Sequence, residues 1–316
     1  MTTARSLLVL GASGLTGYKA MQLAKKKFEV SGTFNMRKLS LFEDGRLFQL
    51  DITKEDLLKK IFTEIKPEII LNATALHNVD YCESHPEEAF TINSKVVEVM
   101  ARLCNNLGSR LIHISTDYVF DGEKGNYIES DLPNPHSVYA KSKLDGEKQA
   151  KKAVSYSILR PSVVYGWTPF ETLGSTSSSG KPVNFALWAL LKMKKNEELK
   201  IVKDQYTSPT LADVLAAVAL RLATRETNDV YHVSGMSCMS RYEFTLKIAS
   251  AMGYPSNIIR PIESKSMLQA AKRPTNSCLN CDKLQNELNY KLLTIDESLA
   301  IMRSQIEVES PSILGN

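Results

Sequence analysis

The chain of 316 residues lacks any apolar run that approaches the roughly 20 residues needed to cross a lipid bilayer. Its first residues also lack the apolar stretch of a signal peptide, and they lead directly into a short predicted strand. The five cysteines lack the regular spacing of a disulfide framework, which indicates a reducing compartment. From these three absences we expect a cytoplasmic protein with no membrane partner.

The sequence has neither the pattern of a metal site nor a strong excess of one charge. Cys278 and Cys281 form a single Cys-x-x-Cys with no second pair, and the histidines show no ligand spacing. The net charge is only +4, and the lysines at 25–27 lie on a stretch patterned as an amphipathic helix. We therefore expect no metal ion and no nucleic-acid partner.

Short apolar runs alternate with helix-patterned stretches over the first half of the chain. The predicted strands are 6–10, 29–33, 69–73, 111–114 and 156–159, and the predicted helices are 15–26, 55–65, 87–106 and 138–153. This alternation predicts an α/β fold with a doubly wound parallel sheet of the Rossmann type, covered by helices on both faces.

The pattern becomes irregular after a loop at 171–181 that is rich in serine and glycine. That loop is either a flexible connector or a lid over a ligand, and its sequence favours neither. The later predicted helices are 183–193, 211–223, 241–252 and 282–288, and the last dozen residues are predicted to be a loose tail. We expect one domain at 1–170 and a smaller lobe at 171–316, some segments of which return to the first domain.

Three glycines, Gly11, Gly14 and Gly17, lie between the first predicted strand and the first predicted helix. Glycine lets the backbone turn tightly and approach a pyrophosphate, which the N-terminus of the helix then stabilises. We therefore predict that this loop, including Ser13 and Leu15, binds a dinucleotide cofactor, which makes residues 1–170 a nucleotide-binding Rossmann domain.

The residues after the second predicted strand bear on which dinucleotide is bound. Rossmann folds that prefer NAD place an acid here for the ribose hydroxyls, whereas this sequence has Arg37 and Lys38. The missing acid and the two cations favour the 2′-phosphate of NADP(H). NAD(H) stays open, because two cations on a loop can also simply face solvent.

Two further strand ends are predicted to contact the cofactor. Asp51 and Ile52 end the next short strand, where a carboxylate and a backbone amide can meet the adenine. Asn72, Ala73 and Thr74 end the following strand, and their small side chains let the cofactor lie close.

Tyr139 and Lys143 are four residues apart on a predicted helix and therefore project from the same face. The ammonium of Lys143 is expected to lower the pKa of the Tyr139 phenol by charge proximity. Thr116 closely follows the apolar run 111–114, so its hydroxyl is expected at the carboxyl end of that strand, where open α/β sheets carry out their chemistry. We interpret these three residues as the acid–base set of a carbonyl reductase.

Taken together, these features resemble the extended short-chain dehydrogenase/reductase superfamily and, within it, the dTDP-4-dehydrorhamnose reductase family. The glycine motif and the Tyr/Lys pair are typical of the whole superfamily. The resemblance to the dTDP-4-dehydrorhamnose reductase family in particular depends on six further segments: 71–75, 79–83, 115–122, 159–166, 204–210 and 272–277.

The resemblance implies a role for each site residue. Thr116, Tyr139 and Lys143 would be catalytic, with Lys143 also touching the nicotinamide ribose. The other site residues would form two groups. One group, which includes Pro161, would contact the cofactor. The other would contact the nucleotide sugar and includes Asp117, Tyr118, Gln205 and Arg273.

Position 118 separates two chemistries within the superfamily. Related nucleotide-sugar dehydratases carry Thr-Asp-Glu, in which the carboxyl pair removes a proton and expels water. Here Tyr118 replaces the glutamate, so elimination loses its base. Asp117 can either orient a sugar hydroxyl or cap the strand end, and both readings stay open.

The leading hypothesis is an NADPH-dependent reductase of a 4-keto-6-deoxy nucleotide sugar, as in dTDP-rhamnose biosynthesis. A nucleotide-sugar 4-epimerase stays open, because it needs only a reversible hydride and the tyrosine. A non-catalytic alternative is an NADP-binding partner protein that resembles the regulatory subunit of methionine adenosyltransferase. The expected partner is a nucleotide-sugar substrate, and a homodimer is left open.

Overall fold

A computed structural model describes residues 4–36, 46–168 and 184–315. Arg37, Lys38 and the loop at 171–181 lie outside the described residues. The strands are β1 (Ser6–Leu10), β2 (Glu29–Phe34), β3 (Leu47–Gln49), β4 (Ile69–Asn72), β5 (Arg110–Ile114), β6 (Tyr156–Arg160), β7 (Val164–Tyr165), β8 (Leu199–Val202), β9 (Tyr206–Thr207), β10 (Thr210–Leu211), β11 (Asp229–His232), β12 (Met239–Ser240) and β13 (Ile259–Ile262).

The α-helices flank and connect these strands. They are α1 (Leu15–Ala24), α2 (Glu55–Ile65), α3 (Val79–Ser84), α4 (Pro86–Phe90), α5 (Val96–Leu107), α6 (Val138–Ala150), α7 (Phe185–Lys194), α8 (Ala212–Leu222), α9 (Arg241–Met252), α10 (Asp282–Leu288) and α11 (Ile295–Glu309).

Seven parallel strands form the central sheet in the order β11-β6-β5-β4-β1-β2-β3. The order reverses between β1 and β4, which is where open α/β sheets leave a crevice for a ligand at the carboxyl ends of the strands. The predicted doubly wound Rossmann-type α/β fold is therefore confirmed. β11 also brings a segment from the second half of the chain into this sheet.

The central strands β1 and β4 are mostly apolar because both faces of the sheet are covered. In β1, Leu7 and Val9 pack into the core on one face, whereas Leu8 and Leu10 pack into the core on the other. All four side chains are fully buried, and each contributes roughly 1.5–3 kcal/mol on transfer from water. This rigid sheet positions the loops at its carboxyl edge.

Two predictions of local structure were wrong. The single helix predicted at 87–106 is interrupted by a π-helical turn at Thr91–Lys95. Within that turn, Asn93 donates to Leu76 O (3.1 Å) and accepts from Leu76 N (2.9 Å), and these two bonds hold the widened turn against the loop after β4. The predicted loose tail is instead the end of α11 and a short turn, in which Ile306 and Ile313 are fully buried.

The second half of the chain also contains a disulfide, between Cys238 and Cys278 (Cα–Cα 5.5 Å), which the cysteine spacing did not predict. Cys281 of the Cys-x-x-Cys pair is a free, buried thiol. Among the described residues, no group of three or more His, Cys, Asp or Glu side chains could hold a metal ion. Within the same ranges, no helix is long and apolar enough to cross a membrane.

Candidate active site

The loop between β1 and α1 has the geometry of a pyrophosphate-binding turn. Gly11 has φ +82°, and a Cβ atom there would lie 2.9 Å from Thr74 Cγ2. A Cβ at Gly17 would lie 2.1 Å from Gly11 O, so the helix can pack on the strand only if residue 17 has no side chain. These two glycines are required by the backbone and its packing.

Gly14 differs from the other two glycines because the fold itself leaves room for a side chain there. Its Cβ atom would meet only Gly11 O, at an ordinary 3.4 Å, and the residue is exposed at the N-terminus of α1. No side chain caps this helix and its first turn has no acid, so its amides are open to an anion. Ser13 and the buried Leu15 flank this position. The loop therefore fits a dinucleotide pyrophosphate.

The other residues predicted on the cofactor side lie at the same edge of the sheet. Asp51 and Ile52 follow β3, and Asp51 Oδ1 accepts from Thr53 N and Oγ1 at 3.0 and 2.7 Å. Asn72 is buried at the end of β4, and its Oδ1 accepts from Thr74 N (3.1 Å) and Oγ1 (2.6 Å), which fixes the turn beside Gly11.

Ala73 completes this turn through its amide, which donates to Leu10 O (3.1 Å). Pro161 is buried just after β6, and its carbonyl accepts from Asp117 N (2.9 Å). The carboxyl ends of β1, β4 and β6 thus all supply predicted cofactor residues. Backbone bonds join the end of β4 to β1, and the turn after β5 to the end of β6.

Helix α6 carries Tyr139 and Lys143. Ser137 caps it by accepting from Ala140 N (3.2 Å), so Tyr139 lies in the first turn and Lys143 one turn later. Lys143 is buried, and its Nζ donates to Ile114 O (2.6 Å) at the end of β5. The bond fixes the lysine beside the strand that leads to Thr116.

The expected electrostatic effect of Lys143 on Tyr139 is not observed. Burial raises the pKa of Tyr139 well above its ordinary value, and the nearby Asp117 charge adds to the rise, while a hydrogen bond with Thr116 opposes it. Burial also lowers the pKa of Lys143 to about 8, and Glu147 opposes that change. Our expectation of a lowered phenol pKa was therefore wrong, and Tyr139 is held in its protonated form.

Thr116 and Asp117 begin the short turn that follows β5. Thr116 Oγ1 accepts from Tyr118 N (3.2 Å) and donates to Asp117 Oδ1 (3.1 Å). Asp117 is 2% exposed, and its Oδ2 accepts from Ser162 Oγ (2.7 Å) and Ser277 Oγ (2.6 Å). The carboxylate is enclosed by hydroxyl groups, which does not match its predicted place against a sugar hydroxyl.

Tyr118 is partly exposed, and its ring meets that of Tyr139 edge to face, with 6.2 Å between the centroids. The second carboxylate of a dehydratase is therefore replaced by an aromatic ring beside the phenol of Tyr139. This arrangement retains an acid and removes the base that elimination requires.

Two more of the four residues predicted on the nucleotide-sugar side, Arg273 and Gln205, belong to the second half of the chain, and they have different partners. Arg273 donates to Asp80 through both Nη atoms, at 3.0 and 2.6 Å, and Nη1 also donates to Ala271 O (3.1 Å). Gln205 is partly exposed after β8, and its carbonyl accepts from Arg241 N (3.1 Å). Arg273 therefore joins the C-terminal lobe to α3, and its guanidinium is already bonded.

Arg241 is a candidate that the sequence analysis missed. It is partly exposed at the start of α9, and its guanidinium lies 5.1 Å from the centroid of the Phe185 ring. Within the described ranges this guanidinium forms no hydrogen bond or ion pair. Burial raises the pKa of Asp117, and the charge of Arg241 is among the effects that oppose this rise. In the sequence, Arg241 is marked only as a cation that follows Ser240, the N-cap of α9. A side chain that merely faces solvent would give the same pattern.

Val163 is a second feature that no sequence pattern indicated. This β-branched residue follows β6 with φ +42°, a conformation that costs of the order of 1–3 kcal/mol. It precedes β7 directly and lies two residues after Pro161. Backbone strain of this kind concentrates at functional sites, and here it lies at the carboxyl edge of the sheet.

Comparison with known proteins agrees with this geometry. Residues 5–307 match the family model of the RmlD substrate binding domain. The chain is 33% identical over 314 residues to dTDP-4-dehydrorhamnose reductase of Aggregatibacter actinomycetemcomitans, which covers 95% of this chain and 99% of that protein.

It is also 31% identical over 290 residues to methionine adenosyltransferase 2 subunit beta of Xenopus laevis, covering 89% of this chain and 82% of that protein. A crystal structure of dTDP-4-dehydrorhamnose reductase from Bacillus anthracis in complex with NADP superposes with a TM-score of 0.83 and 27% identity, covering 96% of this chain and all of that one. The chain therefore belongs to the RmlD substrate binding domain family, of the extended short-chain dehydrogenase/reductase fold.

Proposed function

We propose that this protein is an NADPH-dependent reductase of a 4-keto-6-deoxy nucleotide sugar, of the dTDP-4-dehydrorhamnose type. The observation that carries the proposal is the arrangement of Tyr139 and Lys143, which lie one helical turn apart on α6, with Lys143 bonded to Ile114 O at the end of the strand that leads to Thr116. All three lie where the central sheet ends, next to the loop that fits a pyrophosphate. The dTDP-4-dehydrorhamnose reductase of Aggregatibacter actinomycetemcomitans, which aligns over 95% of this chain, supports the substrate class.

Each residue has a distinct part in this proposal. Reduction of a ketone adds one hydride to carbon and one proton to oxygen, and bound NADPH would supply the hydride. Tyr139 supplies the proton to the oxygen, which its raised pKa permits because the phenol is protonated at neutral pH. Lys143 is fixed beside β5 by its bond to Ile114 O, and Thr116 begins the turn that follows this strand.

NADP is the cofactor that we propose, with NAD as the weaker alternative. The proposal rests on Arg37 and Lys38 in the sequence and on the NADP complex of the Bacillus anthracis relative. Gly14 would lie against the pyrophosphate, at the open N-terminus of α1. Replacing Arg37 and Lys38 together by Ala is expected to weaken NADP binding far more than NAD binding.

A second candidate function is that of an NADP-binding partner protein. The similarity to subunit beta of methionine adenosyltransferase favours it specifically. Two observations distinguish these functions. A partner protein would co-purify with a methionine adenosyltransferase, whereas a reductase would convert a keto sugar nucleotide to product.

The decisive experiment mixes the purified protein, NADPH and a dTDP-linked 4-keto-6-deoxyhexose, and follows the loss of NADPH absorbance. The reductase proposal expects stoichiometric oxidation of NADPH and a sugar product that gains two hydrogens. Tyr139→Phe is expected to lower turnover by about 10²–10⁴-fold while leaving NADPH affinity unchanged. Interconversion of two sugars without net NADPH oxidation would indicate an epimerase, and no reaction with any keto sugar nucleotide would favour the partner protein.

We further propose a cytoplasmic location, and a homodimer stays an open hypothesis for the oligomeric state. Both chemicals of the proposed reaction, NADPH and a nucleotide sugar, belong to the cytoplasm, but the Cys238–Cys278 disulfide argues for an oxidising environment. Fractionation of cells tests the location, and light scattering of the purified protein tests the dimer.

A further inference from the structure

The position of the Tyr139 phenol depends on the first turn of α6, which is the part that a helix holds least firmly by itself. Val138 is the first residue of α6 and Tyr139 is the second. The amides of a first turn have no acceptor within the helix, so this turn frays unless other groups bond to it. Whatever fixes the first turn therefore also fixes the proposed proton donor.

Two side chains supply acceptors to this turn. Ser137, the N-cap, accepts from Ala140 N through its Oγ (3.2 Å), which is the common local arrangement. Glu83 belongs to α3, and its Oε1 accepts from Val138 N (2.7 Å) across a sequence separation of 55. A carboxylate at this end of a helix also stabilises the positive end of the helix dipole. The local sequence thus holds one amide of the first turn, and a distant acid holds another.

Apolar contacts between α3 and α6 lie beside this bond. Cys82, next to Glu83, is fully buried, and it belongs to a small apolar cluster. Val138 and Tyr139 pack against the same cluster. Apolar packing has no preferred direction, whereas a hydrogen bond does. The bond from Val138 N to Glu83 therefore adds the direction that the packing lacks.

Helix α3 can hold α6 in place because α3 is itself held from the other side. A helix of only six residues is not stable by itself in water. Asn78 caps α3 by accepting from Tyr81 N (3.3 Å). Asp80 accepts from Ala271 N (3.1 Å) and from both Nη atoms of Arg273 (3.0 and 2.6 Å). The C-terminal lobe thus fixes α3, and α3 fixes the start of α6.

We propose that Glu83 is a positioning residue, which holds the first turn of α6 so that the Tyr139 phenol meets the oxygen that receives its proton. This inference rests on the proposed reductase function. Glu83 acts through the amide of Val138 and gives no proton itself. Because the role depends on the bond more than on the charge, an amide oxygen in the same place should serve almost as well.

The test replaces Glu83 by Ala, which removes the acceptor, and by Gln, which retains an oxygen that can accept the same bond. Glu68→Ala is the matched control, because Glu68 Oε2 also accepts from the first amide of a distant element, that of Ser6 in β1 (2.9 Å). Ser6 lies at the amino edge of the sheet, whereas the proposed site lies at the carboxyl edge. An effect of such a bond on stability alone should therefore appear in both Ala variants.

The rates are referred to the concentration of sites that bind NADPH, so that a loss of folded protein does not count as a loss of rate. Glu83→Ala is expected to lower kcat by about tenfold to a hundredfold, the effect of a displaced catalytic group, and to leave KM for the keto sugar nucleotide within about twofold. Glu83→Gln is expected to retain at least about a fifth of the activity, because only the interaction of the charge with the helix dipole is lost. Glu68→Ala is expected to leave kcat unchanged.

Three kinetic results would overturn the proposal. An unchanged kcat in Glu83→Ala would show that the bond does not position the phenol. A Glu83→Gln protein as slow as Glu83→Ala would show that the bond to Val138 N is not what matters. A raised KM with an unchanged kcat would show that Glu83 contacts the sugar nucleotide.

Two further measurements need no turnover. Hydrogen exchange at Val138 N is expected to become faster in Glu83→Ala and to stay slow in Glu83→Gln and Glu68→Ala. In protein labelled with carbon-13 at tyrosine Cζ, the Tyr139 resonance, assigned by its loss in Tyr139→Phe, is expected to move in Glu83→Ala alone. Either quantity left unmoved in Glu83→Ala would refute the positioning role. If the unmodified protein reduces no keto sugar nucleotide, the proposed function fails, and these two measurements decide whether Glu83 holds Tyr139.

Discussion

Arg273 and Asp80 form a two-pronged ion pair, with Nη2–Oδ2 at 2.6 Å and Nη1–Oδ1 at 3.0 Å. The pair joins the C-terminal lobe to α3, and the Arg273 side chain is only 11% exposed. The parallel geometry is the one that a guanidinium would offer a diphosphate. Because a protein carboxylate already occupies it, we expect the anionic part of a nucleotide sugar to be met by another cation.

Arg241 is the cation that we expect to meet the diphosphate. Its guanidinium is partly exposed, packs on Phe185 and forms no ion pair among the described residues. Arg241→Ala is expected to raise KM for the sugar nucleotide by about tenfold or more, the effect of one charge-assisted hydrogen bond, without changing NADPH affinity. Steady-state kinetics measure this, with Arg5→Ala, at the amino end of β1, as the control.

Arg273→Ala is expected to act mainly on stability. Since the pair is partly exposed, its loss should lower the free energy of unfolding by about 1–2 kcal/mol, between the values for surface and buried pairs. Denaturant unfolding of Arg273→Ala and Asp80→Ala measures this effect. The opposite result would be a strongly raised KM in a fully stable Arg273→Ala protein and an unchanged KM in Arg241→Ala. It would show that Arg273 contacts the nucleotide sugar, as the family resemblance implies, and that our inference from the ion pair is wrong.

Gly14 and Gly17 provide a matched pair of substitutions in one loop. Gly14→Ala meets no close contact, so it is expected to cost less than about 1 kcal/mol of stability but to weaken NADPH binding at least tenfold, because the methyl group occupies the space of the pyrophosphate. Gly17→Ala is expected to lower stability by about 1–3 kcal/mol, because its Cβ atom would lie 2.1 Å from Gly11 O.

Thermal unfolding and fluorescence titration with NADPH separate the two effects. Unchanged NADPH affinity in a folded Gly14→Ala protein would mean that the pyrophosphate lies elsewhere.

Lys143 makes a prediction about the pH dependence of stability. Burial lowers the pKa of Lys143 from its ordinary value of 10.5 to about 8 in the folded protein. At any pH at which the lysine is charged in the unfolded chain, burying it therefore lowers the free energy of unfolding. This loss of stability is complete below pH 8, falls as the pH rises, and disappears above 10.5. Lys143→Met is therefore expected to be more stable than the unmodified protein by about 3 kcal/mol at pH 7, and equally stable near pH 10.5.

Denaturant unfolding across this pH range measures the difference. Lys141→Met, on an exposed position of the same helix, is the control and is expected to change stability by less than about 0.5 kcal/mol. A difference for Lys143→Met that does not vary with pH would show that the lysine is not destabilised by its burial.

The sequence was sufficient to predict most strands of the central sheet and the turn into α1, for physical reasons. A strand buried on both faces must be apolar, so β1 and β4 could be recognised directly. Glycines that the backbone requires, such as Gly11 and Gly17, mark the turn into α1. The spacing of Tyr139 and Lys143 likewise follows from the pitch of a helix.

The features that the sequence could not predict depend on contacts between distant segments. The ionisation of Tyr139 depends on burial and on Asp117, and the pairing of Arg273 depends on Asp80, which is 193 residues away. The π-helical turn at Thr91–Lys95 is held by a loop from β4, and no local pattern encodes that contact. Local pattern therefore names candidate site residues, but it does not predict their charge or their partners.

The Cys238–Cys278 disulfide is another such distant contact, and it supports the final prediction. It joins the segment before β12 to the residue that follows Ser277, and closes a loop with a sequence separation of 40. The other three cysteines, Cys82, Cys104 and Cys281, are buried thiols outside this disulfide. Alkylation of the denatured, unreduced protein followed by mass spectrometry is therefore expected to modify those three cysteines, and prior reduction should make all five reactive.

Removing this bond is expected to lower the free energy of unfolding by about 2–4 kcal/mol, because the unfolded chain regains the entropy of an open loop. Cys238→Ser is the suitable variant, since Cys238 is exposed, and Cys278→Ala should show the same loss. Under reducing conditions the unmodified protein and both variants should become equally stable, whereas Cys104→Ala should differ from the unmodified protein under both conditions. Five reactive thiols in the unreduced protein would show that the disulfide does not form, and would remove the one structural observation that stands against a reducing compartment.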